Sequence, residues 1–210
     1  MVLTPNASGV ISLDRKESKM PTPDRKIMNL YDFDGVLGHP LEEALFQLPP
    51  TRHDSNFVDV VSRWFNMDLS QESSQSARYV CMQAIMWRYG IPINPGVIQP
   101  DYNHPYYILT ARSDFYAVRR MHRFVEQELA VYPIKVQHLD HLPKGQAIEL
   151  LLERHPDTFF RFYDDNLRHI ISAKMLRSDR LEIFPVDNNL KSFYEEAESL
   201  YYGKILELAL

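Results

Sequence analysis

Residues 28–37 read MNLYDFDGVL, a short apolar run that ends in two carboxylates and a glycine. Side chains alternate along a strand, so Asp32 and Asp34 can lean to one side while the residue between them points into the protein. Gly35 allows a sharp turn and a close approach of the backbone to a ligand. Buried carboxylates need compensation by a metal or by hydrogen bonds, and paired oxygen ligands suit Mg²⁺. The segment therefore predicts a functional site at the end of a buried strand.

This strand-Asp-Phe-Asp-Gly-Val-Leu string resembles the first motif of the haloacid dehalogenase-like superfamily, most of whose members are Mg²⁺-dependent phosphohydrolases. The alternative is an Asx-rich turn between a strand and a loop, since Asp and Gly are common in turns. The choice depends on whether the other motifs of the superfamily follow in order.

Composition predicts a globular domain without a general affinity for polyanions. The chain has 210 residues, 45% of them hydrophobic, and a formal charge of −5, which gives no overall basic surface for nucleic acid. A single cysteine, Cys81, excludes a disulfide within the chain. No apolar stretch approaches the ~20 residues that cross a bilayer. We therefore expect a cytoplasmic setting, no membrane association and no protein partner.

The distribution of apolar residues and turn formers predicts three parts of the chain. They are a flexible N-terminal tail over residues 1–25, a core over 26–37 and 106–210, and a helical insertion or cap over 38–105. The tail has four scattered turn formers and little periodicity, as loose termini do. Residues 38–105 contain two helical patterns, which either cover the site as a cap or cross over and pack on the sheet.

Five apolar segments alternate with amphipathic helical patterns through the core. The strands are predicted over residues 26–31, 106–109, 134–136, 159–163 and 181–186. Strands that alternate with helices predict an α/β fold with a mostly parallel sheet and helices on both sides. The predicted fold class is a Rossmann-like three-layer sandwich with a small helical insertion after the first strand.

Three of the predicted strands end in polar side chains, and a lysine begins the helix before the last of them. These residues are Asp32 and Asp34, Thr110, Lys144, and Asp164 with Asp165. The carboxyl ends of parallel strands lie at one edge of the sheet, where ligands bind in open α/β folds. The order Asp-x-Asp, Thr, Lys, Asp-Asp resembles the four motifs of the haloacid dehalogenase-like superfamily over about residues 27–172.

Two further segments are similar to the Swiss Army Knife RNA repair-like branch of the superfamily, which is itself similar to polynucleotide kinase-phosphatase domains. They are residues 108–113, ILTARS, and residues 162–170, FYDDNLRHI. The usual branch motif has Glu-Asp-Arg, whereas this chain has Asp-Asp-Asn before Leu-Arg-His. A nucleotide or polynucleotide end is therefore one candidate substrate, and a phosphorylated small molecule is the other.

The resemblance implies a role for each motif position. Asp32 would be the nucleophile that forms an aspartyl-phosphate, and Asp34 would be the general acid and base. Thr110 would hydrogen-bond the phosphoryl group and Lys144 would hold its charge. The substrate-binding set is Thr110, Ala111, Arg112 and Gly35, although Arg112 could instead pair with a surface carboxylate. The predicted Mg²⁺ ligands are Asp32, Asp34, Asp164 and Asp165. Which of the last two aspartates ligates directly is open.

The resulting hypothesis is a Mg²⁺-dependent phosphomonoesterase that works through an aspartyl-phosphate. The alternative is a non-catalytic module of the same fold, which binds a phosphorylated or nucleic-acid partner through Arg112 and the basic cluster of residues 119–123. His169 could also lie near the site, although a histidine within an apolar helix is more often packed or exposed.

Overall fold

The computed structural model describes residues 26–46, 49, 54–139, 142–188 and 193–209. The predicted tail, residues 1–25, lies outside the described residues. Within them the strands are β1 (Lys26–Tyr31), β2 (Gly38–His39), β3 (Asn94–Pro95), β4 (Tyr106–Thr110), β5 (Lys135–His138), β6 (Thr158–Asp164) and β7 (Leu181–Pro185). The helices are α1 (Leu41–Phe46), α2 (Asp54–Phe65), α3 (Ser74–Tyr89), α4 (Phe115–Glu128), α5 (Lys144–Arg154), α6 (Leu167–Lys174) and α7 (Tyr194–Ala209).

The central sheet has five strands in the order β5-β4-β1-β6-β7, and every neighbouring pair is parallel. The chain first builds outward from β1 to β4 and β5, then returns to place β6 on the other side of β1. The strand order therefore reverses between β1 and β6, which is where open α/β sheets bind ligands. Asp32 follows β1 and Asp164 ends β6, so both lie at this reversal.

Alternation along β1 separates two hydrophobic clusters on opposite sides of the sheet. Met28 and Leu30 pack toward α5 and α6 with Ile148 and Phe160, whereas Tyr31 packs on the opposite side, with Met121 of α4. Helices thus cover both sides of a parallel sheet, as the continuous apolar character of β1 predicts. The predicted three-layer α/β fold is confirmed.

The helices of residues 38–105 form a third hydrophobic cluster with α7. Leu45 of α1, Val61 of α2 and Ile85 of α3 are fully buried in it beside Tyr201 of α7. Because their apolar sides meet each other, these helices bury a core of their own. Helix α7 belongs by sequence to the predicted core segment, but it packs with α1, α2 and α3.

Local capping signals correspond closely to the observed helix ends. Ser73 caps α3, its side chain accepting a hydrogen bond from the Ser76 backbone, and Gly90 ends the helix with a left-handed φ of 68°. Asp114 caps α4 by accepting from the backbone N–H of Ala117 at 3.1 Å. These contacts satisfy backbone groups that a helix end leaves unpaired.

Among the described residues, no helix combines the length and the apolar character that crossing a membrane requires.

Candidate active site

A buried lysine bridges two buried aspartates at the strand reversal. Lys144 Nζ lies 2.6 Å from Asp32 Oδ1 and 2.7 Å from Asp164 Oδ2. Asp164 is fully buried, and the exposed fractions of Lys144 and Asp32 are 1% and 5%. Lys144 is the first residue of α5, so the helix start aims its amine at the ends of β1 and β6. Two carboxylates and one ammonium leave this triad with a net negative charge.

Burial and charge act against each other in the triad. Burial raises the pKa of Asp32 well above its ordinary value, although the Lys144 charge opposes the change. Burial lowers the pKa of Lys144, but the charges of Asp32 and Asp164 outweigh it and the net pKa is raised. Burial also raises the pKa of Asp164, and contacts from His169 and Lys144 reverse this and lower it. A cation beside Asp32 would stabilise its ionised form.

The two aspartates and one histidine form a candidate metal-binding group. One ligand atom from each of Asp32, Asp164 and His169 lies within 4.8 Å of the other two. His169 lies on α6, and its Nδ1 is 3.3 Å from Asp164 Oδ2. The end of β6 is also ordered by its own backbone, because Asp164 Oδ1 accepts a hydrogen bond from the Asn166 N–H at 2.8 Å.

The turn after β1 brings the backbone of Gly35 against Asp165. Gly35 has a φ of +75°, which favours glycine, and an added Cβ would lie 2.5 Å from Asp165 Oδ2 and 2.1 Å from Asn188 Nδ2. Asn188 donates a hydrogen bond to Asp165 Oδ2. Burial, then the Asp164 charge, raises the pKa of Asp165 to about 6. Adjacent Asp164 and Asp165 therefore diverge, the first toward Lys144 and the second toward Gly35.

Arg112 and Asp34 form a forked ion pair above the strand ends. Arg112 Nε is 2.9 Å from both carboxylate oxygens of Asp34, and Nη2 is 2.6 Å from Oδ1. The backbone N–H of Arg112 donates to the hydroxyl of Thr110 at 3.1 Å. The planar guanidinium matches a carboxylate in two dimensions, so it determines the direction of the Asp34 side chain.

A second layer of carboxylates from α1 supports Arg112. Glu42 is fully buried and forms ion pairs with Arg120 and, at 3.5 Å, with Arg112. Glu43 Oε1 accepts a hydrogen bond from the hydroxyl of Tyr79 at 2.6 Å and lies 3.8 Å from Arg112 Nη2. Burial, then the Asp34 charge, raises the pKa of Glu43 to about 8.

A cleft of about 390 Å³ opens between these groups and the helices of the insertion. Asp34, Ala111 and Arg112 line it from the sheet, whereas Glu43 of α1 and Tyr79 of α3 line it from the insertion. Helices α1 and α3 therefore form one wall of the cleft.

The structure brings together the side chains of Asp32, Lys144 and Asp164. It pairs Asp34 with the Arg112 guanidinium, and the Arg112 backbone N–H donates to the Thr110 hydroxyl. The Arg112 guanidinium is not left open toward a ligand, because it is already paired with Asp34. The sequence interpretation did not find Glu42, Glu43, Tyr79 or Asn188. Adjacent acidic residues at the start of α1, a common pattern, were the only signal for the first two.

Comparison with known proteins gives a similarity to a solved structure. No protein-family model and no curated protein matches the chain. It is similar to a solved structure from Burkholderia xenovorans LB400, described as a haloacid dehalogenase-like hydrolase, with 17% identity and a TM-score of 0.44, over 83% of this chain and 88% of that one. The chemistry of the site therefore rests on the side chains described above.

Proposed function

We propose that this protein is a Mg²⁺-dependent phosphomonoesterase of the haloacid dehalogenase-like type. The main support for this proposal is that Asp32, Lys144 and Asp164 meet at the strand reversal. Lys144 Nζ lies 2.6 Å from Asp32 Oδ1 and 2.7 Å from Asp164 Oδ2. Phosphoryl transfer of this type requires a nucleophile, a fixed cation and a second carboxylate close together.

Asp32 is the proposed nucleophile. Its Oδ1 accepts a hydrogen bond from the Phe33 N–H at 2.6 Å and also lies against Lys144, so we assign the attack to Oδ2. This oxygen forms a bond to phosphorus as the bond from phosphorus to the alcohol oxygen breaks. Lys144 remains beside the carboxylate and stabilises the added phosphoryl charge.

Asp34 is the proposed proton carrier. In its protonated form it gives a proton to the departing alcohol oxygen and becomes a carboxylate. The carboxylate then takes a proton from the water that attacks phosphorus and breaks the bond to Asp32, which restores the protonated form. Inorganic phosphate leaves and both aspartates return to their first state. Arg112 orients the Asp34 side chain, and the Thr110 hydroxyl is the proposed donor to a phosphoryl oxygen.

The residues fit a magnesium ion. Oxygen donors are the ligands that Mg²⁺ prefers, and the buried triad carries more negative than positive charge. Asp32 and Asp164 would hold the ion together with the backbone carbonyl of Asp34, and Asp165 would support it from the side of Gly35. When bound, Mg²⁺ neutralises phosphate charge.

Release of phosphate from p-nitrophenyl phosphate tests the proposal. We expect turnover that requires Mg²⁺ and disappears with EDTA. The Asp32→Asn variant should lose nearly all of it, and Asp157→Asn, a substitution of an exposed aspartate, should retain it. Equal turnover by Asp32→Asn, or turnover indifferent to EDTA, would rule out this mechanism.

The rival is a binding module that recognises phosphate through Arg112 and residues 119–123. The structure weighs against it, because Arg112 is bound by Asp34 and Arg120 is bound by Glu42, both with 4% exposure. Beryllofluoride separates the two. Stoichiometric capture that requires Mg²⁺ and Asp32 supports the enzyme, whereas phosphate binding without such capture supports the module.

The Swiss Army Knife RNA repair-like branch and a nucleic-acid end as substrate remain predictions from the sequence. Hydrolysis of a 5′-phosphorylated oligonucleotide tests the second of these predictions.

A further inference from the structure

On the basis of the proposed function, we propose that the cleft selects a phosphomonoester whose alcohol carries a positively charged ammonium group. The cleft is the approach to the strand ends from the insertion, and Asp34 lines it. If phosphorus lies beside Asp32, the alcohol that receives a proton from Asp34 occupies the cleft. The chemistry of its walls then determines which alcohol fits.

The walls carry more negative than positive charge. The acidic lining residues are Asp34, Glu43, Glu72 and Asp114. Among the described lining residues, Arg112 is the single basic side chain, and its charge is already matched by Asp34. Because Asp34 is paired with Arg112 and the pKa of Glu43 is raised to about 8, the excess negative charge lies on Glu72 and Asp114. These carboxylates would repel an anionic alcohol and attract an ammonium group.

The raised pKa of Glu43 agrees with this charge balance. Burial is its main cause and the neighbouring Asp34 charge is the next, and Arg112 does not compensate for both. A cation in the cleft would supply the compensation that this carboxylate lacks.

Two aromatic rings add a surface suited to an ammonium group. Phe46 and Tyr79 line the cleft, and their ring centroids lie 5.4 Å apart in an edge-to-face arrangement. Phe46 is 40% exposed, although contact with water does not stabilise an apolar ring. Aromatic rings beside carboxylates are a recurrent way of binding alkylammonium groups.

The test compares three small substrates that differ in the charge of the alcohol: phosphoethanolamine, glycerol phosphate and phosphoglycolate. We expect kcat/KM to fall in that order, with about a tenfold difference between the first and the last at low salt. Added salt should narrow this difference. A 5′-phosphorylated oligonucleotide should be hydrolysed less well than phosphoethanolamine.

Variants locate the selection. Glu72→Gln and Phe46→Leu should each reduce the preference for phosphoethanolamine over phosphoglycolate, whereas Glu153→Gln, a substitution of an exposed glutamate on α5, should leave it unchanged. Calorimetric binding to the Asp32→Asn variant reads the same preference without turnover.

The outcomes separate the two proposals. Absence of p-nitrophenyl phosphate hydrolysis together with tighter binding of phosphoethanolamine would overturn the catalytic function and retain the selectivity. Hydrolysis with equal or better use of phosphoglycolate or the oligonucleotide would overturn the selectivity and retain the catalytic function.

Discussion

Lys144 Nζ lies 2.6 Å from Oδ1 of Asp32, and both side chains are almost fully buried. The first residue of α5 thus supplies the positive charge for the carboxylate at the end of the central strand. Removal of the amine would leave Asp32 and Asp164 buried together without a cation.

We therefore expect Lys144→Met to lower the free energy of unfolding by about 3–5 kcal/mol in EDTA, because it leaves uncompensated buried charge. Urea denaturation measures this. Lys135→Met, at an exposed position, should change it by no more than about 0.5 kcal/mol. Mg²⁺ should recover part of the loss, and equal denaturation midpoints of Lys144→Met and wild type in EDTA would contradict the pairing.

Magnesium should stabilise the folded protein, because it binds the native arrangement of carboxylates and not the unfolded chain. At a concentration of 100 times Kd the gain is about 2.7 kcal/mol. Thermal denaturation with Mg²⁺ and with EDTA measures the shift in Tm. Asp164→Asn should abolish the shift and Asp157→Asn should retain it, whereas a full shift in Asp164→Asn would place the ion elsewhere.

Glu43 should make the protein less stable as pH rises. Its pKa is raised from the ordinary 4.5 to about 8, so between these values the folded state binds more protons than the unfolded state. The contribution of Glu43 to stability is then complete below pH 4.5 and decreases as pH rises toward 8. Urea denaturation at pH 5 and pH 8 should show a smaller difference for Glu43→Gln than for wild type. Glu72→Gln, at an exposed position, is the matched control, and an unchanged difference in Glu43→Gln would refute the assignment.

Gly35 and Gly90 provide a matched pair, because both have a positive φ but only one has close neighbours. A Cβ at Gly35 would meet Asp165 and Asn188, whereas a Cβ at Gly90 would meet nothing within 4 Å. Gly90→Ala should cost about 1–2 kcal/mol from backbone strain alone and leave turnover intact.

Gly35→Ala should cost more than Gly90→Ala and reduce turnover about tenfold or more, because it displaces the carboxylate beside the reacting groups. Chemical denaturation and p-nitrophenyl phosphate hydrolysis measure the two effects. Identical behaviour of the two variants would show that the contact at Gly35 has no role.

The fold was predictable because its signals are local. The apolar run of β1, the Ser73 and Asp114 caps and the glycine after α3 each act within a few residues. Predicted and observed strand boundaries differ where no local signal exists. Strand β5, for example, was predicted over residues 134–136 and is found at Lys135–His138. In that strand, pairing with β4 determines the extent.

The supporting groups of the site were not predictable, since they depend on contacts between distant segments. Arg112 is 78 residues from its partner Asp34, and Tyr79 is 36 residues from Glu43. The sequence interpretation assigned Arg112 to the substrate, and no local pattern could show that a carboxylate on another loop binds its guanidinium. The role of Arg112 toward substrate stays a prediction.

The packing of α7 against α1 and α3 has a consequence for synthesis on the ribosome. Every strand of the sheet precedes residue 194, but Ala197 and Tyr201 complete the hydrophobic cluster that holds the insertion helices together. A nascent chain can therefore form its sheet before the wall of the cleft is stable. We expect the strand ends to exist for a time without the helices that line the cleft, until α7 emerges and docks.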